Sequence, residues 1–333
     1  RHARRRDFDD LRRFQFFTGD VFQLAERESH GNRASVCYRA NASYAGRLYR
    51  YISENGFDTV VMPHIFPTEA LTCIRRRHPE AELLTCFIAT DYACVPFLGE
   101  TDADLYCIPH EYLRHSFAES GIPAHKIAAT GIPVRDRFLS HAEKAEARAR
   151  LGLPVEGQLL LVMTGSMGYG NVEALLAALR ARIPAAHVLV MGGNNERLKR
   201  TLRTEFATDM QISVLDYTNE VSLYLDAADL LFTKPGGLSS TEAAVKGIPM
   251  VHTAPIPGWE SDNAAFFEAL GLSRTGDTPL LQADQAALLL ASPTAMERMR
   301  ERQRREINPH AAEDISALLL ERAEADVPGE RVI

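Results

Sequence analysis

Residues 226–263 concentrate the side chains best suited to chemistry. Leu230-Leu-Phe-Thr233 is a short apolar run that reads as a buried strand, and Lys234-Pro235-Gly236-Gly237 breaks it. Residues 239–246 then read as a helix. Ser239 and Ser240 stand at its start as hydroxyl caps, Glu242 lies in its first turn, and Gly247 follows its end. Two glycines at a strand-to-helix turn let the backbone come close to a ligand. The free N–H groups and positive dipole end of a helix start favour an anion such as phosphate. Glu242, one turn in, is placed to accept hydrogen bonds from ribose hydroxyls. The local physics therefore points to a nucleotide with its diphosphate over residues 236–240, although a Pro-Gly-Gly turn before a helix is also ordinary in α/β proteins.

The elements that must position these residues repeat in strict alternation. A helix over 44–55 ends at Asn55-Gly56. Strands follow at 58–62, 83–89, 105–108 and 127–130, with helices between them. A charged helical stretch, 140–150, leads to Leu151-Gly-Leu-Pro154 and marks the domain boundary. The alternation restarts with strands at 158–164, 187–191, 211–215, 230–233 and 249–253, and the last helix runs over 310–326. Such alternation predicts two doubly wound parallel sheets, whose ligands bind beyond the carboxyl ends of the strands.

Strand ends are thus where function belongs. In the first half His64 (after Pro63) and Asp91 (after Thr90) end strands, and either could serve as a base. The plain readings are a packed histidine and a helix cap. In the second half the loops Gly165-Ser166-Met-Gly168 and Gly192-Gly-Asn194-Asn195 suit close backbone approach, although neither a G-x-G-x-x-G nor a P-loop is present. Asn195 serves equally as a helix cap. Asp102-Ala-Asp104 has the spacing of a metal-binding D-x-D but directly precedes a strand, where a solvated turn is the simpler reading.

This pattern resembles the donor-sugar signature of the GT-B glycosyltransferases in the family of monogalactosyldiacylglycerol synthase and the processive diacylglycerol glucosyltransferases, related more distantly to the peptidoglycan UDP-GlcNAc transferase. The matching segments are Lys234-Pro235-Gly236-Gly237-Leu238-Ser239-Ser240-Thr-Glu242-Ala, Gly247-Ile-Pro249 and Pro257-Gly-Trp-Glu260-Ser-Asp-Asn263. Trp259 replaces a usual glutamine in the region that faces the sugar, which leaves the donor sugar open. The resemblance implies that the loops at 165–168 and 192–195 line the donor cleft and that the Asp216-Tyr217 position holds uracil. It implies further that Arg135, in Gly131-Ile-Pro-Val-Arg135, contacts the diphosphate, and that His64 and Asp91 lie on the acceptor side. It covers about residues 35–290. Relatives begin with a strand and a G-x-G-H loop; residues 1–50 contain none, so the first βα unit is expected to be missing.

Composition bounds the rest. At 333 residues the chain fits two domains of ~150 residues. Apolar runs such as Leu159-Leu-Leu-Val-Met163 fall short of the ~18 residues needed to cross a bilayer, and no signal-peptide core stands at the start. Five cysteines without metal-ligand spacing suggest a reduced, cytoplasmic setting. The net charge of −7 hides a basic beginning, with eleven arginines against six acidic residues in 1–50. Phe8, Leu11, Phe14, Phe17, Val21 and Leu24 recur there at helical spacing, which suits a core-facing helix or one that meets an anionic membrane. No basic stripe with interleaved aromatics continues beyond it, which argues against nucleic acid.

The sequence therefore predicts an α/β chain of GT-B architecture, two Rossmann-like doubly wound domains facing a cleft. These are an acceptor-side domain over 1–145, a UDP-sugar donor domain over 146–310, and a C-terminal helix and tail over 311–333 that crosses back to the first domain. The expected activity is an inverting hexosyl transfer from a UDP-sugar to a lipid such as diacylglycerol, by a protein peripheral to a membrane and needing no metal. The alternatives are a non-catalytic or truncated nucleotide-sugar-binding protein, a transferase with a soluble acceptor, and an epimerase, which would want more carboxylates in the cleft.

Overall fold

The computed structural model describes residues 35–163, 171–256 and 258–325. The aromatic and basic segment expected to form a helix before Ser35 lies outside them. Among the described residues helices α1 (Val36–Ala42) and α2 (Ala45–Asn55) come first, with Ser35 capping α1 through a hydroxyl that accepts the Tyr38 N–H at 2.9 Å.

The first sheet is then laid down one strand at a time: β1 (Thr59–Met62), α3 (Ile65–Arg77), β2 (Leu84–Ile88), β3 (Leu105–Ile108), α4 (Arg114–Glu119) and β4 (Ile127–Ala129). All its neighbours are parallel, in the order β1-β2-β3-β4. β3 is buried along its whole length because helices cover both faces of such a sheet, which is why it reads as an unbroken apolar run.

Helix α5 (Lys144–Arg150) leads to the second sheet. Its Arg148, 3% exposed, donates to the Ala227 carbonyl and pairs with Asp229 at 2.8 Å, fastening α5 to the domain that follows. That domain contains β5 (Leu159–Met163), α6 (Val172–Arg182), β6 (His187–Met191), α7 (Glu196–Glu205), β7 (Ile212–Leu215), α8 (Val221–Ala227), β8 (Leu230–Thr233), α9 (Gly237–Val245), β9 (Met250–His252), α10 (Trp259–Ala269), β10 (Arg274–Thr275), α11 (Pro279–Leu290) and α12 (Pro293–Glu306). Its six parallel strands run β10-β9-β8-β5-β6-β7.

This order contains a reversal. From β5 the chain steps outward to β6 and β7, then returns to place β8, β9 and β10 on the other side of β5. The crevice where the direction switches lies beyond the carboxyl ends of β5 and β8, and open α/β sheets bind ligands at such a point. β8 runs directly into Lys234-Pro235-Gly236-Gly237.

The last helix, α13 (Ala311–Ala325), returns to the first sheet. Ile315, Leu318 and Leu319 pack on Cys86, Ile88, Leu105 and Cys107, and Asn308 just before α13 donates to the Thr130 carbonyl at 2.8 Å. No helix among the described residues is long and apolar enough to cross a membrane.

Candidate functional site

The two sheets meet where β2 and β8 end. Helix α9 begins at Gly237 with Gly236 as a backbone cap and no capping side chain, earlier than the start at Ser239 and Ser240 expected from their hydroxyls. Those residues are otherwise engaged or oriented. The Ser240 hydroxyl pairs with His252 Nε2 at 3.0 Å, and Ser239 is half-buried further along the helix. The early start is imposed from outside the helix. A Cβ on Gly237 would lie 2.1 Å from the Thr90 carbonyl oxygen and 2.9 Å from Asp91 Cα, so only glycine admits this approach of the first domain.

Asp91 supplies the cap that α9 lacks from its own residues. Its carboxylate accepts the Gly237 backbone N–H and the Asn263 amide at 2.8 Å. Burial pushes the Asp91 carboxyl above the ordinary carboxylate range. The two hydrogen bonds and the charge of Lys234 act against that rise, while Glu260 adds to it.

Asn263, fully buried, completes the clasp. Its amide nitrogen also donates to the Pro235 carbonyl at 3.0 Å, and its oxygen accepts the Tyr92 N–H at 2.5 Å. Lys234 pairs with Glu260 at 2.5 Å, and Glu260 also accepts the Ile256 N–H at 2.9 Å, which ties the loop after β9 to the helix start. Tyr92 stacks on Phe266 with ring centroids 4.5 Å apart and pairs through its hydroxyl with Thr241 at 2.8 Å. Asp91, Lys234, Pro235, Gly237, Glu260 and Asn263 are thus brought into one cluster.

His64 caps α3, its Nδ1 accepting the Phe66 N–H at 3.2 Å. With Nδ1 accepting, the neutral ring carries its proton on Nε2 and presents a donor there. Desolvation lowers its pKa below the ordinary imidazole value, and the charge of Asp91 acts in the opposite direction, so the two groups lie within electrostatic reach.

Glu242, half-buried on α9, has a carboxyl raised by burial and opposed first by Arg137 and then by Arg135. Arg135 itself is exposed. Gly236 faces open space, a Cβ there meeting nothing within 4 Å, and Leu238 is 52% exposed.

The other expected residues are placed differently. Gly165, Ser166 and Gly168 lie outside the described residues. Gly192 is needed for packing, since a Cβ there would lie 2.7 Å from Lys199 Cγ. Asn194 is exposed, and Asn195 caps α7 by accepting the Leu198 N–H. Asp216 is exposed and pairs with Arg203 at 2.8 Å, which holds its carboxyl below the usual range, and Tyr217 is 66% exposed. Both follow β7, at the far edge of the second sheet from β10. The D-x-D pair is consumed by structure. Asp104 binds Arg75 and the Thr85 backbone and hydroxyl, and Asp102 pairs with Lys126 at 2.6 Å.

Sequence reasoning missed Tyr92, Arg137 and His252. The first two stand beside residues that it selected. His252 is fully buried between the Ser240 and Ser273 hydroxyls, and burial drives its pKa to about 3.

A family model described as monogalactosyldiacylglycerol (MGDG) synthase matches residues 11–134. A processive diacylglycerol beta-glucosyltransferase of Staphylococcus saprophyticus is 30% identical over 237 residues, 71% of this chain. Over these stretches the chain is similar to monogalactosyldiacylglycerol synthase and to processive diacylglycerol beta-glucosyltransferases. It spans 60% of the length of that relative. Among solved structures it is similar to MurG of Acinetobacter baumannii, with a TM-score of 0.61 and 16% identity over 84% of this chain and 78% of that one. It is also similar to a UDP-GlcNAc 2-epimerase of Neisseria meningitidis bound to UDP-GlcNAc, with a TM-score of 0.65 and 13% identity over 88% and 84% of the two chains. These likenesses show the fold, GT-B.

Proposed function

We propose that this chain is a UDP-sugar-dependent hexosyltransferase that moves a sugar, with inversion, to a diacylglycerol-type lipid. The observation that carries the reading is the meeting of the β5/β8 switch point with a glycine-started helix that bears Glu242 one turn in. The diphosphate rests over the first turn of α9, where Gly236 faces open space. Glu242 accepts the ribose hydroxyls, and Arg135 lies on the same side as a cation for the phosphates. Asp216 and Tyr217 border the uracil, with Gly192 and Asn194 along the cleft. Lys234 and Glu260 brace the loop that faces the sugar.

Asp91 and His64 divide the acceptor chemistry. Asp91, raised by burial, takes the proton of the acceptor hydroxyl as that oxygen attacks the anomeric carbon. The bond from that carbon to the UDP oxygen breaks, and the leaving charge is received by the helix start and the nearby arginine. His64 offers its Nε2–H to an oxygen of the donor or acceptor. The relative's printed name supplies the acceptor class, diacylglycerol, and the basic segment in residues 1–50 supports peripheral attachment to an anionic membrane surface on the cytoplasmic side.

Calorimetric titration of UDP into the wild type and Glu242→Ala, without added metal, tests the donor site. Micromolar binding by the wild type that is lost in the variant is expected. A folded wild type that binds no UDP would overturn the reading. A panel of lipid acceptors with UDP-glucose and UDP-galactose then tests transfer, and binding without turnover would leave a nucleotide-sugar-binding protein.

A further inference from the structure

Helices α1 and α3 leave between them a cleft of about 360 Å³ that takes no part in the clasp around Asp91. Arg39 and Ser43 stand four residues apart along one helical stripe, as do Cys73 and Arg77 on α3. Each helix therefore turns a row of side chains towards the opening. Tyr38 and Arg76 also line it. Three guanidinium groups, those of the exposed Arg39, Arg76 and Arg77, are thus gathered at one place.

Arg76 is already oriented. Its guanidinium carbon lies 5.1 Å from the centre of the Tyr38 ring, and its Nη2 donates to the Glu100 carbonyl at 3.2 Å. Among the described residues neither Arg76 nor Arg77 has an ion-pair partner. Basic residues in the last turn of a helix oppose its dipole, and Arg75 goes further by pairing with Asp102 and Asp104. That account does not bring Arg39 across from α1. Of the carboxylates nearby, Glu100 accepts the Ser35 N–H at 3.0 Å, and Glu69, one turn before Cys73, is fully buried. Like charges held at one opening repel each other, and a bound anion relieves that repulsion. Ser43 also stands two residues before α2, whose cap Tyr44 offers no side-chain hydrogen bond, so the positive end of that helix adds to the field.

We infer that the cleft between α1 and α3 is a second anion site, one that receives a phosphoryl group and is separate from the proposed donor site. A guanidinium presents parallel N–H groups that match two oxygens of one phosphoryl group. Because Arg76 is held by Tyr38 and the Glu100 carbonyl, little side-chain freedom is lost when the anion arrives. The volume exceeds what a bare phosphate needs and leaves room for the group esterified to it. The site lies away from the chemistry. His64 caps the start of α3, beyond the carboxyl end of β1, whereas Arg76 is in the last turn of that helix, roughly 17 Å along its axis. Substrates of open α/β sheets bind at the carboxyl ends of the strands, so an anion at Arg76 does not compete with them. A soluble phosphomonoester and the phosphodiester headgroup of a bilayer lipid share the chemistry that this cleft recognises.

The test uses Arg76→Gln, Arg77→Gln and Arg77→Lys in the full chain. Phosphorus NMR follows glycerol 3-phosphate titrated into each protein with UDP in excess, so that the donor site is occupied. Arg76→Gln is expected to weaken glycerol 3-phosphate about tenfold, the value of a charged hydrogen bond. Arg77→Gln, at an exposed position where folding is not at stake, is expected to weaken it about threefold, and Arg77→Lys to restore most of that. UDP affinity should be unchanged in all three. Co-sedimentation with phosphatidylglycerol vesicles, against phosphatidylcholine vesicles as control, separates the sources. Vesicle binding that falls in the same variants assigns the site to a lipid headgroup, and glycerol 3-phosphate binding that falls while vesicle binding does not assigns it to a soluble ester. If neither probe binds, or if both bind the variants as they bind the wild type, the inference is overturned. A wild type that binds glycerol 3-phosphate but not UDP would instead remove the donor site and leave this one standing.

Discussion

The carboxylate of Asp91, beyond the end of a strand in the first domain, caps Gly237, the first residue of α9 in the second. The pair places a negative charge of the first domain at the end of α9 that attracts anions, and Asn263 locks it there. The two domains are therefore coupled by one hydrogen-bonded unit.

Replacement of Asp91 by Asn keeps an oxygen for the Gly237 N–H and removes the charge. If the diphosphate uses the same helix end, UDP should bind about twofold to fivefold more tightly, the ~0.3–1 kcal/mol of one charge at a helix start. Transfer should nevertheless fall ~100-fold or more through loss of the base. Calorimetry and a turnover assay on one preparation separate the two effects, and unchanged turnover would free Asp91 of its catalytic role.

Asn263→Ala removes the amide shared by Tyr92, Asp91 and Pro235. It leaves a buried N–H and a buried carboxylate without that partner, at a cost of about 2–4 kcal/mol. Urea titration should show that loss. Asn263→Asp should be worse at neutral than at acid pH, since it sets a second carboxylate beside Asp91.

The capping of α3 by His64 and its proposed part in transfer can be pulled apart. His64→Ala should lose about 1 kcal/mol of helix capping as well as activity, whereas His64→Asn retains a capping oxygen for Phe66 and should lose activity alone. Thermal melts beside initial rates decide it; full activity in His64→Asn would confine the residue to capping.

Glu69 gives a pH signature opposite to that of most carboxylates. It is fully buried, one oxygen accepting the Asn41 amide and the other without a partner among the described residues, and burial pushes its pKa from 4.5 to about 7. A raised carboxyl stabilises the fold while protonated, so its contribution is full below pH 4.5 and is lost as pH rises through about 7. Glu69→Gln should abolish that decline, on the order of 2–3 kcal/mol between pH 5 and 8. Equal slopes of melting temperature against pH in variant and wild type would refute it.

Periodicity alone sufficed for the regular elements. The apolar runs at 105–108, 159–163 and 230–233 form strands because burial on both faces demands unbroken apolar residues, and that demand is local. The turn at Lys234–Gly237 was equally legible, since proline and glycine punctuate a chain wherever they fall. The register of α9 was not. Local rules select the hydroxyls of Ser239 and Ser240, whereas the helix is capped by Asp91 from another sheet. The same holds for Gly192, whose close contact with the buried stem of Lys199 no local rule announces. Asp102 and Asp104 matched a metal motif, and only their distant partners Arg75, Thr85 and Lys126 show how they are used. The sequence by itself determined which segments become strands and helices, because those choices depend on neighbours along the chain. Which carboxylate meets which helix end was decided by the tertiary structure, because such pairings depend on how two separately folded sheets approach each other.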